Sequence, residues 1–311
     1  MLGALVLSLS GECTVERDYY AGLADDQLFE ALFTAEDRLP RAAVEEVAFR
    51  DSLAPYLGQM VMDKQSWLAD LPDWWAVVHA TYALGLRGGE ESVLPLVAAL
   101  RWSDAFDCDW VTELLPSIFG SLGPSAIPWL TAMVRDQAAG WSARDLALRS
   151  LASIGLKHPD SAEHVFKIIG ERLMDEGEDR LVRQLAGQVL LDFRQKGYRM
   201  ALLKFSREDW ALKDLDYLYP TGIDPEEVEL AFKQGEPELW HYQEDWMRFY
   251  DPGEIQRRHK RWTRERLSGT GQNRQIKPPP GGGRVLPLWR HGKGPFEPVE
   301  PGEGGTPEGG E

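Results

Sequence analysis

Cysteine is scarce in this chain: of 311 residues only Cys13 and Cys108 carry a thiol. Two thiols cannot build a disulfide framework or a cysteine-rich zinc site. A reducing compartment fits that usage, and the cytoplasm is the expected location. Long apolar runs are missing as well. None approaches the ~20 residues a helix needs to cross a bilayer, so no membrane span is expected. The opening Met1-Leu-Gly-Ala-Leu-Val-Leu-Ser-Leu9 is similar to the apolar part of an export signal. No Lys or Arg precedes it, however, and Gly11-Glu12-Cys13 stands where a small-residue cleavage site or a lipoprotein box would be. Residues 1–22 are read as an N-terminal extension. The six histidines are scattered, with only His158 and His164 paired weakly across a turn, which gives no metal site. His79 reads as a satisfied, partly buried histidine. The P-loop, the dinucleotide fingerprint and the G-x-S-x-G elbow are all absent from the sequence. No catalytic residue and no cofactor is therefore expected.

Positive charge is the third shortage. Against 50 Asp and Glu stand 34 Lys and Arg, a formal charge of −16. A phosphate backbone would be repelled over most of such a surface, which argues against nucleic acid as a partner of the acidic body. The shortage is reversed in one place. Residues 256–293 hold eleven Lys and Arg against the single acid Glu265, a net of +10. The last 18 residues hold five glutamates and no base, so residues 1–255 carry −21.

What the chain has in quantity is helical patterning. It is 43% hydrophobic with 12 Trp, enough to fill a sizeable core. Leu28, Ala31, Leu32 and Ala35 fall on one helical face, as do Ala43, Val44 and Val47 and then Leu53, Tyr56, Leu57, Met60 and Val61. These three helices, within 23–73, are expected to cap one end of the fold. Pro72 breaks the pattern, and Asp73 is the expected N-cap of a helix starting at Trp74.

From Trp74 to Phe205 four helical hairpins follow. The first pairs Trp75, Val78, Tyr82 and Leu86 with Val93, Leu96, Val97 and Leu100 across Gly88-Gly89. The second pairs Val111, Leu114, Leu115, Ile118 and Leu122 with Ile127, Leu130 and Val134, with Ser125 as the expected cap. The third pairs Ala147, Leu151 and Ile154 with Val165, Ile168, Ile169 and Leu173, opened by a capping box at Pro159-Asp160 and Glu163. The fourth pairs Val182, Leu185, Ala186, Val189 and Phe193 with Tyr198, Ala201, Leu202 and Phe205. Gly85, Gly120 and Gly155 recur at intervals of 35 residues. One hairpin per fixed period of that length predicts an all-α fold, an α-solenoid.

The runs Ala83-Leu84-Gly85 with Val93-Leu-Pro-Leu-Val97 and Leu122-Gly-Pro-Ser-Ala-Ile-Pro-Trp-Leu130 resemble HEAT repeats. So do Arg144-x-x-Ala147 and Arg183-x-x-Ala186. They are closest to the short HEAT-like type also seen in phycobilisome bilin lyases. With Leu39-Pro-Arg-Ala-Ala-Val-Glu-Glu-Val47 and Asp109-Trp-Val-Thr-Glu113, the order of elements is similar to that of an uncharacterised bacterial family. The resemblance spans roughly residues 23–205. It implies a superhelical scaffold and leaves the partner open, because the shared positions are packing positions. Some members of that family end in a cysteine-rich zinc motif, and no cysteine lies beyond Cys108 here.

Residues 206–250 are expected to close the far end with short helices at 208–219 and 225–234. Residues 251–267 read as a helix charged on every side, and 268–311 as a disordered Pro/Gly-rich tail. Two stretches stand out as candidate sites. Trp102, Asp104, Asp107, Asp109, Trp110 and Glu113 form an acidic and aromatic junction between repeats that would suit a basic or aromatic peptide segment. Its plainer alternative is a helix cap at Asp107 or Asp109 with Trp102 and Phe106 in the core. Arg257, Arg258, Lys260, Arg261 and Arg264 begin a basic arm suited to an anionic partner, to docking on the acidic body, or simply to solubility. The expected function is a non-enzymatic protein-binding or assembly scaffold. The alternatives are a lyase or chaperone of a prosthetic group, by analogy with bilin lyases, and a nucleic-acid accessory protein acting through the arm.

Overall fold

A computed structural model describes residues 16–106, 108–212 and 222–267. The predicted tail at 268–311, most of the 208–219 helix, Asp107 and most of the N-terminal extension lie outside the described residues. Among the described residues every regular element is helical and no strand occurs. The chain opens with α1 (16–21), α2 (Asp25–Thr34), α3 (Arg41–Phe49), α4 (Ala54–Met62) and the short α5 (Lys64–Trp67). The repeat region holds α6 (Trp75–Arg87) with α7 (Val93–Ala105), and a one-turn α8 (Asp109–Thr112) followed by α9 (Leu115–Leu122) with α10 (Ile127–Arg135). After these come α11 (Trp141–Lys157) with α12 (Pro159–Met174), and α13 (Arg180–Asp192) with α14 (Arg199–Leu212). The short α15 (Pro225–Ala231) and α16 (Pro252–Leu267) complete the set.

The hairpins pack in sequence order. The first helices α3, α6, α9, α11 and α13 each touch the next, and α4, α7 and α10 do the same in a second layer, as do α12 and α14. In α6 every residue from Trp75 to Gly85 is buried, the pattern of a helix covered on all sides. The 35-residue glycines lie inside first helices rather than in turns. A Cβ at Gly85 would sit 2.8 Å from Ile118 Cγ2, and one at Gly120 would sit 2.2 Å from Ser153 Oγ. Ile118 and Ser153 are themselves 35 residues apart, so the same close approach of neighbouring first helices occurs twice.

The repeated arginines have an equally local cause. Arg144 Nε donates to the carbonyl of Val134 (2.8 Å), and Arg183 Nε to that of Leu173 (3.0 Å). Each cation near the start of a first helix thus closes the carbonyl end of the preceding second helix, where the helix dipole favours positive charge. Arg144 also forms a buried pair with Glu178. Arg87, at the end of α6, reaches back to the Ala48 carbonyl (3.1 Å) and Asp51 (2.8 Å) in the same manner.

Several expected caps are replaced by other devices. α6 starts at Trp75, and Asp73 contributes its carbonyl rather than its carboxylate, because the turn around Pro72 already supplies backbone acceptors for the first amides. Ser125 falls within the 3-10 turn Pro124–Ala126 and does not cap. His158 occupies the N-cap of α12, so no capping box forms at Pro159 to Glu163. Gly88 and Gly89 do adopt positive φ (67° and 79°), as the turn between α6 and α7 requires. Residue 205 lies inside α14, and α15 packs against that helix.

Candidate interaction surface

Residues 239–262 do not stay at the far end of the array. They run back along the first helices toward the N-terminal elements. Tyr242 donates its hydroxyl to Asp192 at the end of α13 (2.8 Å), and its carbonyl accepts the Ser153 hydroxyl from α11. The Glu244 amide donates to Ser117 Oγ on α9 (2.8 Å), and Trp246 Nε1 donates to the Tyr82 carbonyl on α6 (3.3 Å). Tyr250 meets His79 (2.9 Å), and Arg258 reaches the carbonyl of Asp37 (2.9 Å) in the 3-10 turn after α2. One segment therefore touches every first helix from α13 to α6, antiparallel to the order of the repeats. Its anchors are aromatic side chains and backbone groups.

Where this segment meets α6, the aromatic rings converge. Trp75 lies 6.0–6.1 Å from Trp110, Phe249 and Trp262, and Tyr82 lies 5.5 Å from Phe249. The Arg258 guanidinium stacks 3.8 Å over Phe249 and also faces the Asp37 carboxylate (3.4 Å), with both charged side chains under 10% exposed. Burial pulls the Arg258 pKa below its ordinary value, offset in part by Asp37. A guanidinium still keeps its charge.

His79 is fully buried between the Glu36 carbonyl (2.6 Å) and the Tyr250 hydroxyl (2.9 Å). A carbonyl can only accept, so Nε2 carries the proton and Nδ1 accepts from Tyr250. Desolvation lowers the His79 pKa to about 4, which keeps the ring neutral. Glu36 supplies its carbonyl from a left-handed backbone, φ 53°, an uncommon conformation for a residue with a side chain.

No family model, no curated protein and no solved structure matches the chain. The site must therefore be read from its own chemistry. Among the described residues no group of three or more His, Cys, Asp or Glu is placed to hold a metal ion, and no helix is long and apolar enough to cross a membrane. Burial raises the Cys108 thiol to about 12, which leaves it protonated and a poor nucleophile.

The acidic junction is divided between two surroundings. Trp102 stacks on Phe106 (6.1 Å) and bonds the Met62 carbonyl (3.3 Å). The Lys64 ammonium lies 5.8–5.9 Å from both rings, so the chain supplies its own cation there. Trp110 turns the other way, into the cluster with Trp75 and Trp262. Asp104 is half-buried, while Asp109 and Glu113 are exposed. Asp109 is the first residue of α8, behind Cys108 at the N-cap, and makes no side-chain cap.

The basic arm is divided too. Arg258 is buried and Trp262 packs beside it, so α16 is not solvated on every side. Arg257, Lys260, Arg261 and Arg264 remain exposed. The return path of residues 239–262 is the feature that periodicity misses. Its sequence signal is the aromatic series Trp240, Tyr242, Trp246, Phe249 and Tyr250, together with Ser117 and Ser153, 36 residues apart on successive first helices.

Proposed function

We propose that this chain is a HEAT-like α-solenoid of the bilin-lyase type that works as a non-enzymatic binding scaffold in the bacterial cytoplasm. Its first-helix face receives an aromatic segment wound into short 3-10 turns, as residues 240–242 and 246–250 are. The observation that carries this reading is the seat of the chain's own residues 239–250. Ser117, Ser153, Asp192 and the Tyr82 carbonyl hold that segment through two backbone groups and two aromatic polar tips. Successive first helices that each offer one polar contact to one continuous segment form a linear reader, the way stacked repeats present a long surface. In this reading the C-terminal segment is the resident occupant, and a partner segment of like character competes for the same seat. The acidic junction contributes through Trp110, which lines the end of the seat.

The test uses full-length protein with the resident segment weakened by Tyr242→Ala and Trp246→Ala. A synthetic peptide with the sequence of residues 236–262 should bind this variant in a titration and fail to bind wild type at the same concentration. A scrambled peptide should bind neither. If circular dichroism shows the variant folded and the native-sequence peptide still does not bind, the reading is wrong.

A further inference from the structure

We infer that the outward face of α16 is a binding surface for the phosphate backbone of nucleic acid. This inference is independent of the first-helix seat. Arg257, Lys260, Arg261 and Arg264 stand at i, i+3, i+4 and i+7, which puts four cations on one face of the helix. All four are exposed, while Arg258 and Trp262 on the other side fix the helix to the body. From the first cation to the last the helix rises about 10 Å. That length faces several phosphates of a duplex, which carries one charge per ~1.7 Å of axis.

The ion-pair pattern sets these residues apart. Elsewhere on this acid-rich chain many arginines find carboxylates, as Arg50, Arg87, Arg101, Arg135, Arg149 and Arg199 do, while Arg183 and Arg194 bond backbone carbonyls. On the α16 stripe only Arg257 has one, Glu254. Among the described residues Lys260, Arg261 and Arg264 form no ion pair, and Arg261 lies 6.0 Å from the Trp110 ring.

Three other uses of the stripe fit less well. The four cations are exposed, and among the described residues only Arg261 is recorded near the body, over the Trp110 ring rather than a carboxylate, so the stripe does not pair with the acidic body. Arg258 does that. A membrane-surface helix needs an apolar face free to enter the lipid, and the Trp262 side of α16 is already packed on protein. A short acidic peptide would need only a local patch. Here the sequence continues from residue 268 to 293 with five more Lys and Arg and no acid, which suits a long linear polyanion. At ionic strengths where the screening length is about 10 Å, repulsion from the remote acidic surface is damped, whereas direct contacts to the stripe persist.

The experiment measures fluorescence anisotropy of a labelled single strand and a labelled duplex against full-length protein over a series of salt concentrations. It compares wild type with Arg257→Gln/Lys260→Gln/Arg261→Gln/Arg264→Gln. A control with the same charge change carries Arg101→Gln/Arg135→Gln/Lys167→Gln/Lys204→Gln on the second-helix layer. Each phosphate contact adds about 0.7 to the salt slope for a single strand. Four contacts therefore account for a roughly 50-fold loss of affinity between about 50 and about 200 mM salt, and the stripe variant should lose that dependence. The control should keep it. Equal binding by wild type and the stripe variant overturns the proposal. So does the absence of binding by wild type at low salt, or stripe-dependent binding to phosphatidylserine vesicles without binding to either nucleic acid.

Discussion

Gly120→Ala tests the link between the repeat period and the returning segment. The new Cβ would lie 2.2 Å from Ser153 Oγ and 3.2 Å from the Ser153 Cβ and carbonyl oxygen. The hydroxyl must rotate away, which breaks its bond to the Tyr242 carbonyl and leaves that buried acceptor unsatisfied, a cost of about 1–3 kcal/mol. Residual crowding between α9 and α11 adds about 1–3 kcal/mol, and the better helix propensity of alanine returns about 1 kcal/mol. A net loss of about 3 kcal/mol is expected. Ser153→Ala alone loses the same hydrogen bond and should cost about 2 kcal/mol. In the double variant that bond is lost only once, and the worst overlap is gone with the hydroxyl. The double variant should therefore be at least about 2 kcal/mol more stable than the sum of the single costs predicts. Urea unfolding followed by circular dichroism gives the three values. Hydrogen exchange at residues 240–246 should accelerate in both single variants. Additivity within about 0.5 kcal/mol, or unchanged exchange in Gly120→Ala, would refute the reasoning.

His79 makes stability depend on pH. Its folded pKa of about 4 lies below the unfolded value near 6.5, so the unfolded chain binds the extra proton first. The contribution is complete above about pH 6.5 and is lost as pH falls toward 4, by up to ~3 kcal/mol and by ~2 kcal/mol at pH 5. Burial raises Asp145 and Glu244 instead, which works in the opposite direction, but both remain in the reference variant. Urea midpoints at pH 7 and pH 5 should fall more for wild type than for His79→Gln, and parallel falls would exclude the role given to His79. The two repeated arginines should differ sharply. Arg144→Ala leaves the buried Glu178 with Arg172 (3.0 Å) as its one cation, beside the Asp179 amide (2.8 Å), and should cost about 3–5 kcal/mol. Arg183→Ala loses one carbonyl bond and a stack over Phe205 (4.8 Å), about 1–2 kcal/mol, and equal losses in the two melts would disprove the distinction.

The helices were legible where their cause is local and repeated. Apolar stripes, the 35-residue glycines and the Arg-x-x-Ala pairs all report contacts between consecutive elements, and each helix carries its own record of them. The returning segment leaves only an aperiodic aromatic series and two serines as its record. Its anchors are two backbone groups and a few aromatic tips, and their partners lie 50 to 171 residues away in the chain. The junction around Asp104 to Glu113 is divided between two surroundings for a related reason. Adjacent residues need not share a surface, and the single turn of α8 sends Trp110 to one side while Trp102 stays with Lys64 on the other. Charge patterning identified the cations of α16 but could not show which one is buried. That choice depends on Asp37 and Phe249, which no spacing within α16 encodes.

A stack of hairpins that touch only their neighbours unravels unit by unit, because the loss of one repeat removes only one interface. The segment that runs from Asp192 back to Asp37 changes that rule. It ties the last first helix, the middle ones and the N-terminal turn into one closed loop of contacts. Detaching the segment must then break bonds to every first helix from α6 to α13. The first helices from α6 to α13 gain a shared tie that neighbour contacts alone do not give, so the opening of one loosens the seat of the others.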